Sequence, residues 1–204
     1  MPTVNLKNLE MLNILVDGEC EFGCNQENYT TFWKRMAGCG PSVVATLCGY
    51  HRWRHETAPR PFDDWLELMD DVWDDVTPTM QGLPSTRHLT ERIEQYLTRR
   101  HPELTYASLD IPAERAERPT FEDFREFIVR ALENDRPVAF LTLDNAGVVT
   151  LDDWHWTVIV GIDYGDDHTQ IVDYNCGLVF DVPLDVWYER MERGGGVVQL
   201  TVNN

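Results

Sequence analysis

The order of the predicted elements places this chain in the α+β class. Apolar residues recur at helical spacing through much of the first part of the chain, and runs typical of buried strands dominate the remainder. The third observation is the position of two reactive side chains, because Cys39 opens a predicted helix and His155 opens a predicted strand. A helical part followed by an antiparallel sheet is typical of an α+β fold.

The helices are predicted from apolar residues at steps of three and four. The first begins at Cys39, the third is capped by Ser85 or Thr86, and the fourth is opened by a capping box of Thr120 with Asp123. Carboxylates fill the face of the second helix opposite its apolar stripe, which indicates a solvated acidic face. The apolar stripe of the second helix comprises Phe62, Trp65, Leu66, Met69, Val72, Trp73 and Val76.

The strands are predicted from short apolar or alternating runs bounded by turn residues. A short helix at about 184–193 is expected to end at Gly194–Gly196, since glycine is favoured just past a helix. The strands are expected near 104–108, 138–143, 155–162, 169–174, 177–182 and 197–202.

The composition indicates a folded, strongly acidic protein. The 204 residues are 43% hydrophobic, and 35 acidic against 17 basic residues give a net charge of −18. This charge argues against nucleic acid and anionic membrane surfaces as partners. It favours a basic substrate or serves solubility alone.

The length predicts a single domain spanning residues 1–204. Residues 1–15 contain one lysine and no long apolar core, so no signal peptide is predicted, and no run approaches the roughly 20 apolar residues needed to cross a bilayer. The expected location is cytoplasmic. An odd number of cysteines, five, agrees with a reducing compartment.

The segment around Cys39 predicts a reactive thiol. Gly38 and Gly40 allow a tight bend beside Cys39, and Pro41 fits the first helical turn. A sulfur at a helix N-terminus lies in the positive end of the helix dipole, which favours the nucleophilic thiolate. The alternative is a structural cysteine ahead of a core helix.

A second cluster supplies a base and residues to orient it. His155 begins one predicted strand, and Asp173 and Asn175 end the next. A nucleophilic cysteine needs a base within hydrogen-bond reach, and the base needs an acceptor that fixes its tautomer. The alternative is a histidine that caps a strand and an aspartate that begins a turn.

The segments 38–42, 155–161 and 171–173 resemble the papain-like cysteine peptidases of the bacteriocin-processing (double-glycine leader peptidase) type. The resemblance extends from about Asn25 to Asn175. It implies a papain-like fold with Cys39 as nucleophile, His155 as base and Asp173 as orienter. Asn175 is the alternative residue for orienting His155.

The chain departs from this family before the cysteine. The family has a glutamine a few residues upstream whose amide donates to the oxyanion, whereas Gln26 here precedes Cys39 by 13 positions. We expect residues 29–37 to loop out so that Gln26 reaches the site. Asn28 and then Asn25 are the next candidates, and the backbone N–H of Cys39 is the second expected donor.

Cys20 and Cys24 allow two further interpretations, half of a metal site or a redox pair. No second pair of cysteines with such spacing follows, so we interpret them as unpaired structural thiols. The carboxylates of the second helix lie along a helix and not on a glycine-containing turn, which is unlike a calcium loop. No cofactor and no metal are therefore predicted.

Three functions remain open at this point. The first is a cysteine hydrolase acting on a peptide or amide bond. The second is an acyltransferase or deamidase that uses the same triad, and the third is a binding module that keeps the papain-like shell without turnover. A peptide or amide substrate is expected, and the sequence does not determine the oligomeric state.

Overall fold

The computed structural model describes residues 3–164, 169–175 and 177–203, and for 164 and 169–175 it describes the backbone alone. The helices are α1 (Phe32–Ala37), α2 (Cys39–Trp53), α3 (Phe62–Asp75), α4 (Thr86–Arg100), α5 (Phe121–Glu133) and α6 (Leu184–Arg190). The strands are β1 (Thr3–Asn5), β2 (Asn13–Val16), β3 (Glu19–Phe22), β4 (Leu104–Ile111), β5 (Val138–Thr142), β6 (His155–Tyr164), β7 (Thr169–Asn175), β8 (Leu178–Pro183) and β9 (Gly195–Val202).

An antiparallel sheet forms one layer of the protein, with the strand order β4–β9–β5–β6–β7–β8. β5 pairs with the first half of β6, and β1 pairs with its second half at Asn5 to Gly161. β7 covers the other edge of β6. Because β6 is central, the start of this strand is held by hydrogen bonds to a neighbour that is buried along its whole length.

Helix α2 is the central helix of the helical layer. Its residues from Gly40 to Tyr50 are all buried, and it packs between α3 on one side and β5, β6 and β9 on the other. A helix that is apolar on nearly all sides is stable only when it is surrounded in this way. This packing fixes the N-terminus of α2, and with it Cys39, against the sheet.

The acidic face of α3 takes part in ion pairs. Asp71 and Asp75 pair with Arg100 and Arg99 at the end of α4, and Asp70 accepts from Lys34 at 2.6 Å. The predicted solvated face is therefore partly covered by its neighbours. The predicted apolar stripe needs one correction, because Leu68 is buried where Leu66 was expected.

Two features near the chain ends differ from the sequence-based expectation. The hairpin of β2 and β3 was not predicted, although Asp17 (φ 51°) and Gly18 (φ 89°) form a turn typical of hairpins. α6 ends at Arg190 and not near 193. Gly195 lies in β9, where an added Cβ would come 2.1 Å from the carbonyl oxygen of Leu141. The glycines thus allow close approach of strands and do not end the helix.

Within the described ranges, no helix combines the length and the apolar character needed to span a membrane.

We predict that Gly49→Ala destabilises the protein by about 2 kcal/mol or more, because overpacking a dense core forces side chains off their rotamers. A Cβ at this position would lie 2.2 Å from the ring of Trp65, which is fully buried. Chemical denaturation of the wild type and the variant measures the loss. The double variant Gly49→Ala/Trp65→Leu should lose less than the sum of the single variants. Additive losses would contradict the proposed contact.

Candidate active site

Cys39 and His155 lie next to each other where the N-terminus of α2 meets the start of β6. Their side chains are hydrogen-bonded, although they are far apart in the sequence. The backbone N–H groups of Gly40 and Trp156 also donate hydrogen bonds to the sulfur. The sulfur is thus surrounded by one imidazole and two backbone donors, an arrangement that stabilises negative charge.

The environment of the Cys39 thiol lowers its pKa. Burial acts in the opposite direction and is the largest single effect, but the hydrogen bond and charge of His155, with the two backbone N–H groups, outweigh it. Burial raises the pKa of Cys24 to about 12 and also raises that of Cys48. Cys39 therefore differs chemically from two other cysteines of the same chain. It is also partly accessible, as a nucleophile must be.

A small cavity of about 20 Å³ lies beside the pair, with room for roughly one water molecule. Gln26 lines this cavity together with Cys39 and His155. It belongs to a short 3₁₀ helix, Gln26–Asn28, which α1 contacts. Residues 29–37 do not form a simple loop, because Phe32–Ala37 forms α1. Gln26 nevertheless reaches the cavity, as a donor to an oxyanion would have to.

The two alternative amide donors have other partners. Asn28 donates from Nδ2 to Glu21 at 2.8 Å, and Asn25 accepts from the backbone N–H of Glu27 at 2.9 Å. Asn25 thereby caps the 3₁₀ helix. Neither asparagine lines the cavity beside Cys39, so among these three residues the geometry favours Gln26.

The predicted orienting residues lie on β7, next to β6. Asp173 pairs with Ile159, which follows His155 by four positions, or about 13 Å of strand at roughly 3.3 Å per residue. β7 runs antiparallel to β6, so Asn175 lies nearer the His155 end. The side chains of Asp173 and Asn175 lie outside the described part of the structure. The carboxylate of Asp153 is nearer to His155 in the sequence. It accepts a hydrogen bond from the backbone N–H of Asn145 at 2.7 Å.

Trp156 connects Cys39 to the loop between α3 and α4. Its backbone N–H donates to Cys39, and its indole Nε1 donates to the carbonyl oxygen of Leu83 at 2.8 Å. A Cβ on Gly40 would lie 2.6 Å from Leu83, so the loop rests directly on the first turn of α2. Sequence reasoning missed this role, because nothing in the sequence shows where the loop packs.

The remaining cysteines and acidic residues do not gather into a metal site within the described ranges. No group of three or more potential ligands occurs among the residues that the structure describes. Cys20 is exposed and free, and Cys24 is free and donates its backbone N–H to Thr46 at 2.9 Å. Cys176, the fifth cysteine of the chain, lies outside the described residues.

Two solved structures resemble this fold. UfSP from C. elegans superposes with a TM-score of 0.53 at 14% identity, covering 100% of this chain and 35% of the UfSP chain. The peptidase domain of Streptococcus ComA, a bifunctional ABC transporter involved in a quorum-sensing pathway, superposes with a TM-score of 0.44 at 12% identity, covering 82% of this chain and 93% of that domain. No protein-family model and no curated protein match the chain.

The fold is α+β and papain-like, which confirms the fold class predicted from the sequence. A helix that carries a cysteine packs on an antiparallel sheet that carries a histidine, and the two residues meet at the small cavity that they line. This chain spans about a third of the length of the UfSP chain that it resembles.

We predict that Cys39 is alkylated faster than the other cysteines at pH values below the pKa of an ordinary thiol. The lowered pKa makes the thiolate available there, whereas Cys24 and Cys48 remain protonated. Iodoacetamide labelling at a series of pH values, read by peptide mass spectrometry, measures each rate. His155→Ala should shift the Cys39 profile to higher pH. An unchanged profile in that variant would contradict the contribution of His155 to the thiolate.

We predict that Trp156→Phe slows alkylation of Cys39 and destabilises the protein by about 1–2 kcal/mol, because the buried carbonyl of Leu83 loses its donor. Trp187→Phe is the matched control. Trp187 is also fully buried and donates from Nε1 to a carbonyl, that of Asp144 at 2.9 Å. The control should lose similar stability without any change in the Cys39 rate. Equal slowing in both variants would show a general effect of destabilisation.

Proposed function

We propose that this protein is a cysteine hydrolase that cleaves a peptide or amide bond. The observation that carries the proposal is the hydrogen bond between Cys39 and His155, which accompanies a lowered pKa of the thiol. The pair lies where the N-terminus of α2 meets the start of β6, beside a small cavity, and the proposed substrate carbonyl approaches it there. Cys39 is the proposed nucleophile and His155 the proposed acid and base.

The proposed reaction has two steps. The Cys39 thiolate attacks the carbonyl carbon, forming a carbon–sulfur bond and moving an electron pair onto the oxygen. The His155 imidazolium then donates its proton to the leaving amine as the carbon–nitrogen bond breaks, which leaves a thioester. Neutral His155 removes a proton from water, and the resulting attack releases the acid and restores the ion pair.

Gln26 is the proposed side-chain donor to the oxyanion, with the backbone N–H of Cys39 as second donor. Its place on the cavity wall beside Cys39 and His155 supports this role. Asp173 is the proposed orienter of His155, with Asn175 in reserve, because both lie on the strand next to β6. The two proposed oxyanion donors favour hydrolysis over the alternative of a binding module without turnover.

We further propose membership of the bacteriocin-processing peptidase-like group, a single-domain organisation and a cytoplasmic location. The motifs around Cys39 and His155 support the first, and the length and composition support the other two. Acyl transfer and deamidation use the same groups and differ only in the nucleophile or the amide that enters the cleft.

The test is digestion of a denatured protein mixture by the wild type and by Cys39→Ala, with new termini identified by mass spectrometry. Cleavage by the wild type alone supports the hydrolase. Adding hydroxylamine separates transfer from hydrolysis, because an acyl-enzyme that prefers amine acceptors would yield hydroxamates. Absence of new termini and of hydroxamates, with Cys39 reactive, would overturn the proposal.

We predict that Gln26→Ala lowers kcat by about a hundredfold with little change in KM, because an oxyanion donor acts in the transition state. Asn28→Ala is the matched control, since Asn28 lies on the same 3₁₀ helix but bonds to Glu21. Equal losses in both variants would assign the effect to the helix and not to the Gln26 amide.

Asp173→Asn, Asn175→Ala and Asp153→Asn form a second series that tests the orienter. Loss of the orienter should lower kcat and change its pH profile, because His155 would no longer be held in one tautomer. Asp173→Asn is expected to have the largest effect. A large effect in Asp153→Asn alone would assign the orientation of His155 to the carboxylate of Asp153.

A further inference from the structure

Large apolar side chains are exposed on α1, directly before the nucleophile. Phe32, Trp33 and Met36 are 72%, 40% and 64% exposed. α1 ends at Ala37, two residues before Cys39, and packs against the 3₁₀ helix that carries Gln26. α1 is therefore joined to Cys39 through Gly38 and contacts the segment whose Gln26 lines the cavity.

Two further exposed apolar residues lie on other segments beside the site. Met80, which is 86% exposed, is on the loop whose Leu83 rests on Gly40. Trp154, which is 55% exposed, directly precedes His155 and has the left-handed φ of 55° that is rare for a bulky residue. We call Phe32, Trp33, Met36, Met80 and Trp154 the apolar rim. Several exposed large apolar residues on segments that adjoin Cys39, His155 and Gly40 indicate a surface that binds a partner molecule.

Carboxylates beside the rim have no ion pair within the described residues. Glu19 on β3, Glu27 on the 3₁₀ helix, and Asp152 and Asp153 before His155 are all exposed. On the helical side, by contrast, Asp71 and Asp75 are neutralised by arginines of α4. The potential at the rim is therefore negative, in a protein whose net charge is −18.

The cations near the rim are largely engaged. Lys34 pairs with Asp70 at 2.6 Å, and Arg35 donates to the backbone carbonyls of Tyr29 and Thr30. Arg193 lies over the ring of Trp154, 5.9 Å from its centroid, and offsets part of the charge there. Backbone carbonyls are neutral, so Arg35 keeps its positive charge. Arg35 and Arg193 therefore offset part of the charge of the four carboxylates, and an excess of negative charge remains.

We infer that the substrate is a flexible peptide segment that carries large apolar and basic residues beside the cleaved bond. This inference rests on the proposed function. The rim offers aromatic rings and methionines that bury apolar side chains, and the ring faces also attract cations. The unpaired carboxylates attract lysine and arginine and repel acidic segments.

The test separates binding from chemistry by using Cys39→Ala, which retains the rim. Three fluorescein-labelled peptides of equal length are compared by anisotropy, one rich in Lys and Leu, one in Glu and Leu, and one in Lys and Ser. The Lys/Leu peptide should bind at least about tenfold more tightly than either of the others, and this advantage over the Glu/Leu peptide should shrink at high salt. Equal binding of all three would overturn the inference.

Variants of the rim locate the binding. Met36→Ser and Glu27→Gln should each weaken binding of the Lys/Leu peptide by roughly three- to tenfold. Val202→Ser and Glu94→Gln are the matched controls, because both residues are exposed and lie on β9 and α4, away from Cys39. Similar losses in the controls would contradict a binding surface at the rim.

Two further outcomes are distinguishable. If the wild type cleaves peptides without preference for basic and apolar residues, the proposed function stands and the substrate class is wrong. If Cys39→Ala binds the Lys/Leu peptide but the wild type cleaves nothing, the hydrolase is wrong and the peptide preference stands. If Met36→Ser dissociates a dimer in sedimentation and leaves peptide binding unchanged, a second copy covers the rim and the inference is overturned.

Discussion

The packing of α2 against β6 is the constraint on which the candidate site depends. α2 is buried along most of its length, so the position and orientation of its N-terminus relative to the sheet are fixed. β6 is central in the sheet, and at its start His155 pairs with Thr142 of the buried strand β5, so the backbone position of His155 is also fixed. The hydrogen bond between Cys39 and His155 forms because two rigid elements meet there, and no flexible loop has to bring the groups together.

The same packing explains why one cysteine is activated and others are not. Burial alone raises a thiol pKa, as it does for Cys24 and Cys48 in the same layer. Cys39 is also largely enclosed, but two backbone N–H groups and an imidazole point at its sulfur. The loop through Leu83 rests on the first turn of α2 and is bonded to Trp156. The contacts that bury the sulfur of Cys39 therefore also supply the groups that lower its pKa.

The distribution of charge and apolar surface is uneven. Arginines of α4 neutralise carboxylates of α3, whereas exposed acidic residues near α1 and before His155 have no ion pair within the described ranges. Large apolar side chains are exposed on the segments that adjoin the cavity. Surface of this kind lowers solubility, and the substrate that we propose would cover it.

The sequence by itself determined helices α2 to α6, the main strands, and the places of Cys39 at a helix start and His155 at a strand start. These follow from local spacing, with apolar stripes at helical steps and short apolar runs in strands. It did not determine α1 or the β2–β3 hairpin, whose stability comes from contacts with distant segments. Only the tertiary structure decided that Gln26 and not Asn28 lines the cavity, and that Trp156 holds Leu83. These facts depend on the packing of residues far apart in the chain, which local periodicity does not encode.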